Sequence, residues 1–114
     1  MARDHLPTAL ERRKLLAAGS PELAALGRRF LEQGRWGEAL ECLEATGDRQ
    51  GLEALRQATL AAGDYFFWRR ALTLLDQPQA PGELTRLADQ ARTAGKAVFL
   101  AQATAQLESG RSES

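Results

Sequence analysis

The feature that most constrains the fold is the stretch over residues 20–47, which has the pattern of two amphipathic helices joined by a tight glycine turn. We expect the first helix to open with Ser20 as N-cap and Pro21 at its first position, where proline loses no intrahelical hydrogen bond. Apolar residues then recur at helical spacing until Gly34 ends this helix, and the second helix stops at Gly47. Two helices with so short a connection are predicted to fold back as an antiparallel hairpin, whose apolar seam needs neighbouring helices to cover it.

The small and apolar residues of this hairpin resemble the tetratricopeptide repeat (TPR). They are Leu23, Leu26, Gly27 and Phe30 in the first helix, followed by Gly34, Trp36, Ala39 and Leu43. Gly27 and Ala39 would let the two helix backbones approach each other closely. Leu23 replaces the usual tryptophan, and Gly51 stands where the terminal proline is expected. The resemblance implies a helical-repeat fold that binds proteins, and an ordinary small helical bundle is the alternative.

Helical periodicity and glycine breaks predict looser copies of this hairpin along the rest of the chain. We expect a flexible N-terminus over 1–7, a single helical-repeat domain over 8–107 and a disordered tail over 108–114. Within the domain, one helix over 8–18 would precede hairpins at about 20–47, 48–76 and 82–107. Gly34, Gly63 and Gly95 are spaced by about one repeat, and Asp48 and Asp64 are placed to cap helices. The predicted fold class is all-α, a TPR-like α-solenoid of antiparallel hairpins with about seven helices.

The charge balance argues against partners that are recognised by net charge. Lys plus Arg number 15, and Asp plus Glu also number 15, so no net field attracts nucleic acid or an anionic membrane. Nucleic-acid binding is a distant third hypothesis, which would rest on Arg28, Arg29, Arg69 and Arg70. No apolar run approaches the roughly 20 residues of a membrane-spanning helix, and no signal-peptide core is present. These features favour a cytoplasmic protein without membrane contact.

Catalytic chemistry is not expected, because the residues that it needs are scarce. The chain has one histidine, His5, and one cysteine, Cys42. A nucleophile pair would require these two to meet, although His5 lies in a segment expected to fray. No cluster of His, Cys, Asp and Glu has the spacing of metal ligands, so neither a metal nor a cofactor is predicted. We therefore predict that the protein is not an enzyme.

The resemblance also implies where a partner would bind, because the first helix of each hairpin lines the inside of a curved repeat array. The residues that face this groove would be Arg28, Glu32, Glu53, Gln57, Arg86, Asp89 and Arg92. Such a lining suits a peptide or helix of a partner protein, held by polar contacts around an apolar strip. The leading hypothesis is a non-enzymatic interaction module or small scaffold, and the alternative is a structural subunit that assembles with copies of itself. The sequence does not name the partner.

Four consecutive aromatic residues at 65–68 cannot all face one core, because they cover every side of a helix. Tyr65 and Trp68 align with Leu72 on an inner face. Phe66 falls among polar residues and is predicted to be exposed. The alternative is that Phe66 packs under the preceding hairpin.

The last predicted helix lacks the polar outer face that ends a repeat array, because residues 97–107 carry no charge. The face expected to pack inward comprises Ala97, Leu100, Thr104 and Leu107. Val98 and Phe99 would then remain as anchors for a second copy or a partner chain. The alternative is that this helix slots between earlier helices and leaves only alanines exposed.

Overall fold

The protein is all-helical over the residues that its computed structural model describes, which are 7–19 and 21–112. Seven helices and no strand occur in these two ranges. In chain order the helices are α1 (Ala9–Ala18), α2 (Leu23–Glu32), α3 (Trp36–Thr46), α4 (Arg49–Ala62), α5 (Tyr65–Leu75), α6 (Pro81–Thr93) and α7 (Ala97–Ser112). The predicted all-α class with about seven helices is therefore confirmed for this part of the chain.

The chain divides into two compact units after Leu52, a position within α4. The first unit contains α1, α2, α3 and the first turn of α4. The second unit contains the remainder of α4 together with α5, α6 and α7.

Two predicted boundaries differ from the structure. The second helix begins at Leu23 rather than at Pro21, with Glu22 as an N-cap that makes no side-chain capping bond, while Ser20 lies outside the described residues. The last helix continues through Ser112, so residues 108–112 are helical where a disordered tail was predicted. Without a proline or a glycine cap, polar residues extend a helix that is already formed, since each adds one hydrogen bond. The predictions for residues 1–6 and 113–114 also fall outside the described part of the chain.

Three helix starts are set by capping side chains. The side chains of Thr8, Asp48 and Asp64 each accept a hydrogen bond from the backbone N–H three residues later, at 3.2, 3.1 and 3.0 Å respectively. These bonds satisfy donors that have no partner inside the helix. The caps predicted at Asp48 and Asp64 are confirmed.

The three predicted turn glycines share one backbone geometry. Gly34, Gly63 and Gly95 have φ of 71°, 70° and 72°, the left-handed conformation that side chains disfavour. The residue after each glycine donates its N–H to a carbonyl five positions earlier, over 3.0 Å at the first turn, 2.9 Å at the second and 2.8 Å at the third. This bond ends a helix in the Schellman manner and satisfies one of its last carbonyls. The chain thus repeats one local turn at the positions that the sequence indicated.

The core of the first unit forms where α2 packs against α3. The buried residues are Leu23, Leu26, Gly27 and Phe30 on α2, and Ala39, Leu40, Cys42 and Leu43 on α3. Gly27 permits the close approach, because a Cβ added there would lie 3.0 Å from Leu43 Cδ2 and 3.1 Å from Cys42 Cβ. The nearest atoms across from Gly27 therefore belong to Cys42 and Leu43, while Ala39 is fully buried elsewhere on α3.

The core of the second unit surrounds the fully buried Trp68. Its other buried members are Leu60, Tyr65, Leu72, Leu84, Leu87, Ala88 and Ala103. Helix α6 packs along α7, and α5 also contacts α7.

The inward face of α7 differs from the predicted one. Phe99, Leu100 and Leu107 pack against the core and Ala103 is fully buried, whereas Ala97 and Thr104 are exposed. This rotation of the helix buries an aromatic side chain in place of a threonine, which removes more apolar surface from water.

Candidate functional site

A cleft of about 240 Å³ opens on the surface of the second unit, between α4 and α6. Its lining consists of Gln57, Leu60 and Ala61 from α4, and Arg86, Asp89 and Gln90 from α6. The structure thus brings together three residues that were predicted to face a partner: Gln57, Arg86 and Asp89.

Both helices present the cleft residues at the same helical spacing. Gln57, Leu60 and Ala61 stand at positions i, i+3 and i+4, and the three residues from α6 repeat this spacing, so each set lies on one helix face. Leu60 is buried and forms an apolar floor, while the polar side chains around it are exposed. Leu60, Ala61 and Gln90 were missed from the sequence, although they are the i+3 and i+4 neighbours of residues that were named.

The charged side chains that line this cleft differ in whether they have a partner within the protein. The Asp89 carboxylate accepts a hydrogen bond from Arg92 Nη1 at 2.9 Å, and both side chains are exposed. Arg86 has no ion-pair or hydrogen-bond partner among the residues that the structure describes. The cleft therefore offers one available guanidinium beside an apolar floor and the amide side chains of Gln57 and Gln90. Guanidinium and amide groups recognise carboxylates and peptide groups by directional hydrogen bonds.

Glu53, a predicted partner-facing residue, lies instead in a polar network within the second unit. Its carboxylate accepts hydrogen bonds from Arg56 Nε and Gln77 Nε2, both at 2.9 Å. Arg56 also forms an ion pair with Glu83, whose other oxygen accepts the indole N–H of Trp68 at 3.1 Å. The hydrogen bond to Glu83, followed by the one to Glu53, raises the pKa of Arg56. The Glu53 carboxylate is thus hydrogen-bonded by two neighbouring side chains, and its side chain remains 38% exposed.

The first unit contains the other two predicted groove residues, Arg28 and Glu32. Arg28 donates from Nε to Asp48 Oδ2 at 3.0 Å and from Nη2 to Asp48 Oδ1 at 2.8 Å. These bonds from Arg28 are the main cause that lowers the pKa of Asp48. Glu32 is exposed. Arg28 therefore anchors the residue that caps α4.

The predicted exposed apolar residues have different surroundings. Phe66 is 47% exposed and meets Phe67 edge to face, with ring centroids 4.9 Å apart. Phe66 is thus exposed as expected, while Tyr65 and Trp68 are buried on the inner face. Val98 is 69% exposed. Phe99 is half-buried against the core, which corrects its assignment as a free anchor.

Sequence reasoning also missed a larger groove in the first unit, of about 630 Å³, between α1 and α2. Leu15, Ala25 and Leu26 provide its apolar lining. The available signal was the run of four charged residues at 11–14, which interrupts the apolar residues of α1, and no residue of this helix is buried.

Of the two residues of the nucleophile pair considered from the sequence, the described ranges contain Cys42. Cys42 is fully buried, and burial followed by the charge of Glu41 raises the pKa of its thiol, while His5 lies outside these ranges. Within them no three side chains of His, Cys, Asp or Glu come close enough to share a metal ion. None of the helices described has both the length and the hydrophobicity to cross a membrane. No protein-family model, curated protein or solved structure matches this chain.

Proposed function

We propose that the chain is a cytoplasmic, non-enzymatic helical-repeat module of the TPR kind, which binds a peptide or helix of a partner protein in the cleft between α4 and α6. The observation that carries the proposal is the convergence of Gln57, Arg86 and Asp89 around the apolar floor of Leu60. The shared geometry of the turns at Gly34, Gly63 and Gly95 supports the repeat assignment.

The size of the cleft indicates what it can hold. Its volume of about 240 Å³ lies below the roughly 300–1,000 Å³ of typical small-molecule pockets. It therefore suits one side chain of a longer segment, which would rest on Leu60 and Ala61. The amides of Gln57 and Gln90 can bond the backbone of that segment, and Arg86 can pair with one of its acidic groups.

A pull-down from extracts of the native cell tests this proposal. Three purified chains serve as baits: the wild type, Arg86→Glu, and Arg13→Glu as an exposed control in α1. We expect one or a few proteins that the wild type and the control retain and that Arg86→Glu loses. Identical sets on all three baits, or no specific protein on any of them, would count against binding in the cleft.

Self-assembly through α7 is the second candidate function. The observation that favours it is the 69% exposure of Val98 on a helix whose residues 97–107 carry no charge. Surface helices usually carry charged residues on the face turned away from the core, and the corresponding face of α7 presents Val98, Ala101 and Ala105.

A further inference from the structure

A groove lies between α1 and α2, beside a position where an arginine of α1 contacts other helices of the first unit. Arg12 Nε bonds Glu41 at 2.6 Å, and its guanidinium carbon lies 5.9 Å from the centroid of the Phe30 ring. No residue of α1 is buried. The groove has a volume of about 630 Å³, and the exposed Ala25 and the buried Leu26 of α2 contribute to its lining.

The apolar lining of this groove comes from both helices. Leu15 is half-buried and lies opposite Ala25 and Leu26 of α2. An occupant could therefore contact apolar side chains of both helices.

The charged side chains at the rim of the groove determine which ligands are complementary to it. Glu11 is tied to the backbone N–H of Thr8 at 2.9 Å in a capping box, and both Glu22 and Arg29 already have partners. Among the rim residues that the structure describes, Lys14 is exposed and has no such partner. The rim thus offers the ammonium group of Lys14 beside the apolar lining of the groove. A complementary ligand combines apolar side chains with a carboxylate.

We propose that this groove binds an amphipathic helical segment of a partner protein, which places apolar side chains against Leu15 and Leu26 and an acidic side chain at Lys14. Helices commonly dock in this way, with residues i, i+4 and i+7 as anchors in an apolar groove. The groove shares no residue with the cleft between α4 and α6. A negative result in the test of one binding site therefore does not count against the other site.

Fluorescence anisotropy with two synthetic peptides tests the proposal on the full chain. The first is a labelled, alanine-based 15-residue helix with leucines at i, i+4 and i+7 and glutamates beside them. The second has lysine in place of each glutamate. We expect the wild type to bind the acidic peptide about fivefold more tightly than the basic one, and Lys14→Glu to reverse this preference.

Two further variants locate the binding. Ala25→Arg introduces a long side chain at an exposed position of the groove and should abolish binding of both peptides, with circular dichroism confirming that the helices remain. Arg13→Glu reverses the adjacent charge, which does not line the groove, and should bind as the wild type does. Equal affinity for both peptides, unchanged binding by Ala25→Arg, or no signal up to about 1 mM would each overturn the proposal. Displacement of the acidic peptide by dodecanoate at lower concentration would identify a small amphiphile as the occupant and would also overturn it.

Discussion

At the scale of single residues, Gly63 shows how the absence of a side chain permits helix packing. A Cβ at Gly63 would lie 2.5 Å from the backbone nitrogen of Ala91 and 2.8 Å from its Cα. Gly95 has nearly the same φ, 72° against 70°, but nothing lies within 4 Å of an added Cβ. The two glycines therefore separate the cost of the backbone conformation from the cost of the contact.

We predict that Gly63→Ala lowers the free energy of unfolding by about 3 kcal/mol, since left-handed strain of about 1–2 kcal/mol adds to a backbone clash of about 1–3 kcal/mol. Gly95→Ala should lose only the strain, about 1–2 kcal/mol. Urea denaturation followed by circular dichroism measures both. A loss at Gly63 no greater than the loss at Gly95 would show that α6 does not lie against this turn.

The Arg28–Asp48 pair provides a second test at this scale. Arg28, and then the backbone N–H of Gly51, stabilise the ionised carboxylate and hold the pKa of Asp48 below its usual value. The folded-state pKa is thus lower than the unfolded value of about 3.9. Ionised Asp48 contributes stability above the unfolded pKa, and this contribution is lost as the pH falls through the folded pKa.

We expect the free energy of unfolding to fall as the pH is lowered below about 4, and Asp48→Asn to flatten this dependence. Arg28→Gln should flatten it too, and the double variant should add little to either single one, because both substitutions remove the same pair. Urea titrations at several pH values provide the measurement. If both single variants kept the wild-type slope, the pair would not form in solution.

At the scale of secondary-structure elements, Glu83 of α6 joins side chains from α4 and α5. It accepts the indole N–H of the fully buried Trp68 and pairs with Arg56, whose side chain is only 17% exposed. By contrast, the pair between Asp89 and Arg92 is exposed on α6 itself.

Replacing Glu83 by leucine should therefore lower the free energy of unfolding by about 2–3 kcal/mol, because it leaves the indole N–H and one side of a half-buried guanidinium unsatisfied. Asp89→Ala, which removes an exposed pair on the same helix, should cost less than about 1 kcal/mol. Equal losses in thermal or urea unfolding would mean that the Glu83 network is no stronger than a surface ion pair.

The orientation of individual helices could be predicted where polar residues mark an outer side. In α5, Arg69 and Thr73 indicated the solvent face, and Trp68 and Leu72 are buried as expected. In α7 the sequence is apolar around most of the helix, so periodicity does not fix its rotation. Packing against the core selects Phe99, Leu100, Ala103 and Leu107, a choice that depends on partners distant in the sequence.

At the scale of the whole molecule, local signals predicted the fold class better than the site. Turn glycines and caps act within about six residues, so they show directly in the sequence. The environment of Glu53 depends on Gln77 and, through Arg56, on Glu83, which are distant in the chain. The resemblance to the tetratricopeptide repeat implied that Gln57 and Arg86 face a partner, but it carried no information about which neighbouring side chains would pair with each charged group.

The α7 hypothesis makes its own prediction for the whole molecule. If two copies pair through the face that contains Val98, sedimentation velocity should show a fraction of dimer that increases with protein concentration. Val98→Asp should abolish the dimer. Thr104→Asp is a matched control, because Thr104 is exposed and lies about 120° round the helix from Val98. A monomer at all concentrations, or equal effects of the two substitutions, would exclude pairing through this face.

Photo-crosslinking in the native cell tests directly whether a partner protein occupies the cleft between α4 and α6. A photoreactive amino acid replaces Gln57 in the cleft, and separately the exposed Gln33 in the turn between α2 and α3 as a control. We expect an adduct of a different protein at position 57, which the added substitution Arg86→Glu removes, and no such adduct at position 33. An adduct at 57 that persists with Arg86→Glu, or its complete absence, would contradict partner binding in the cleft.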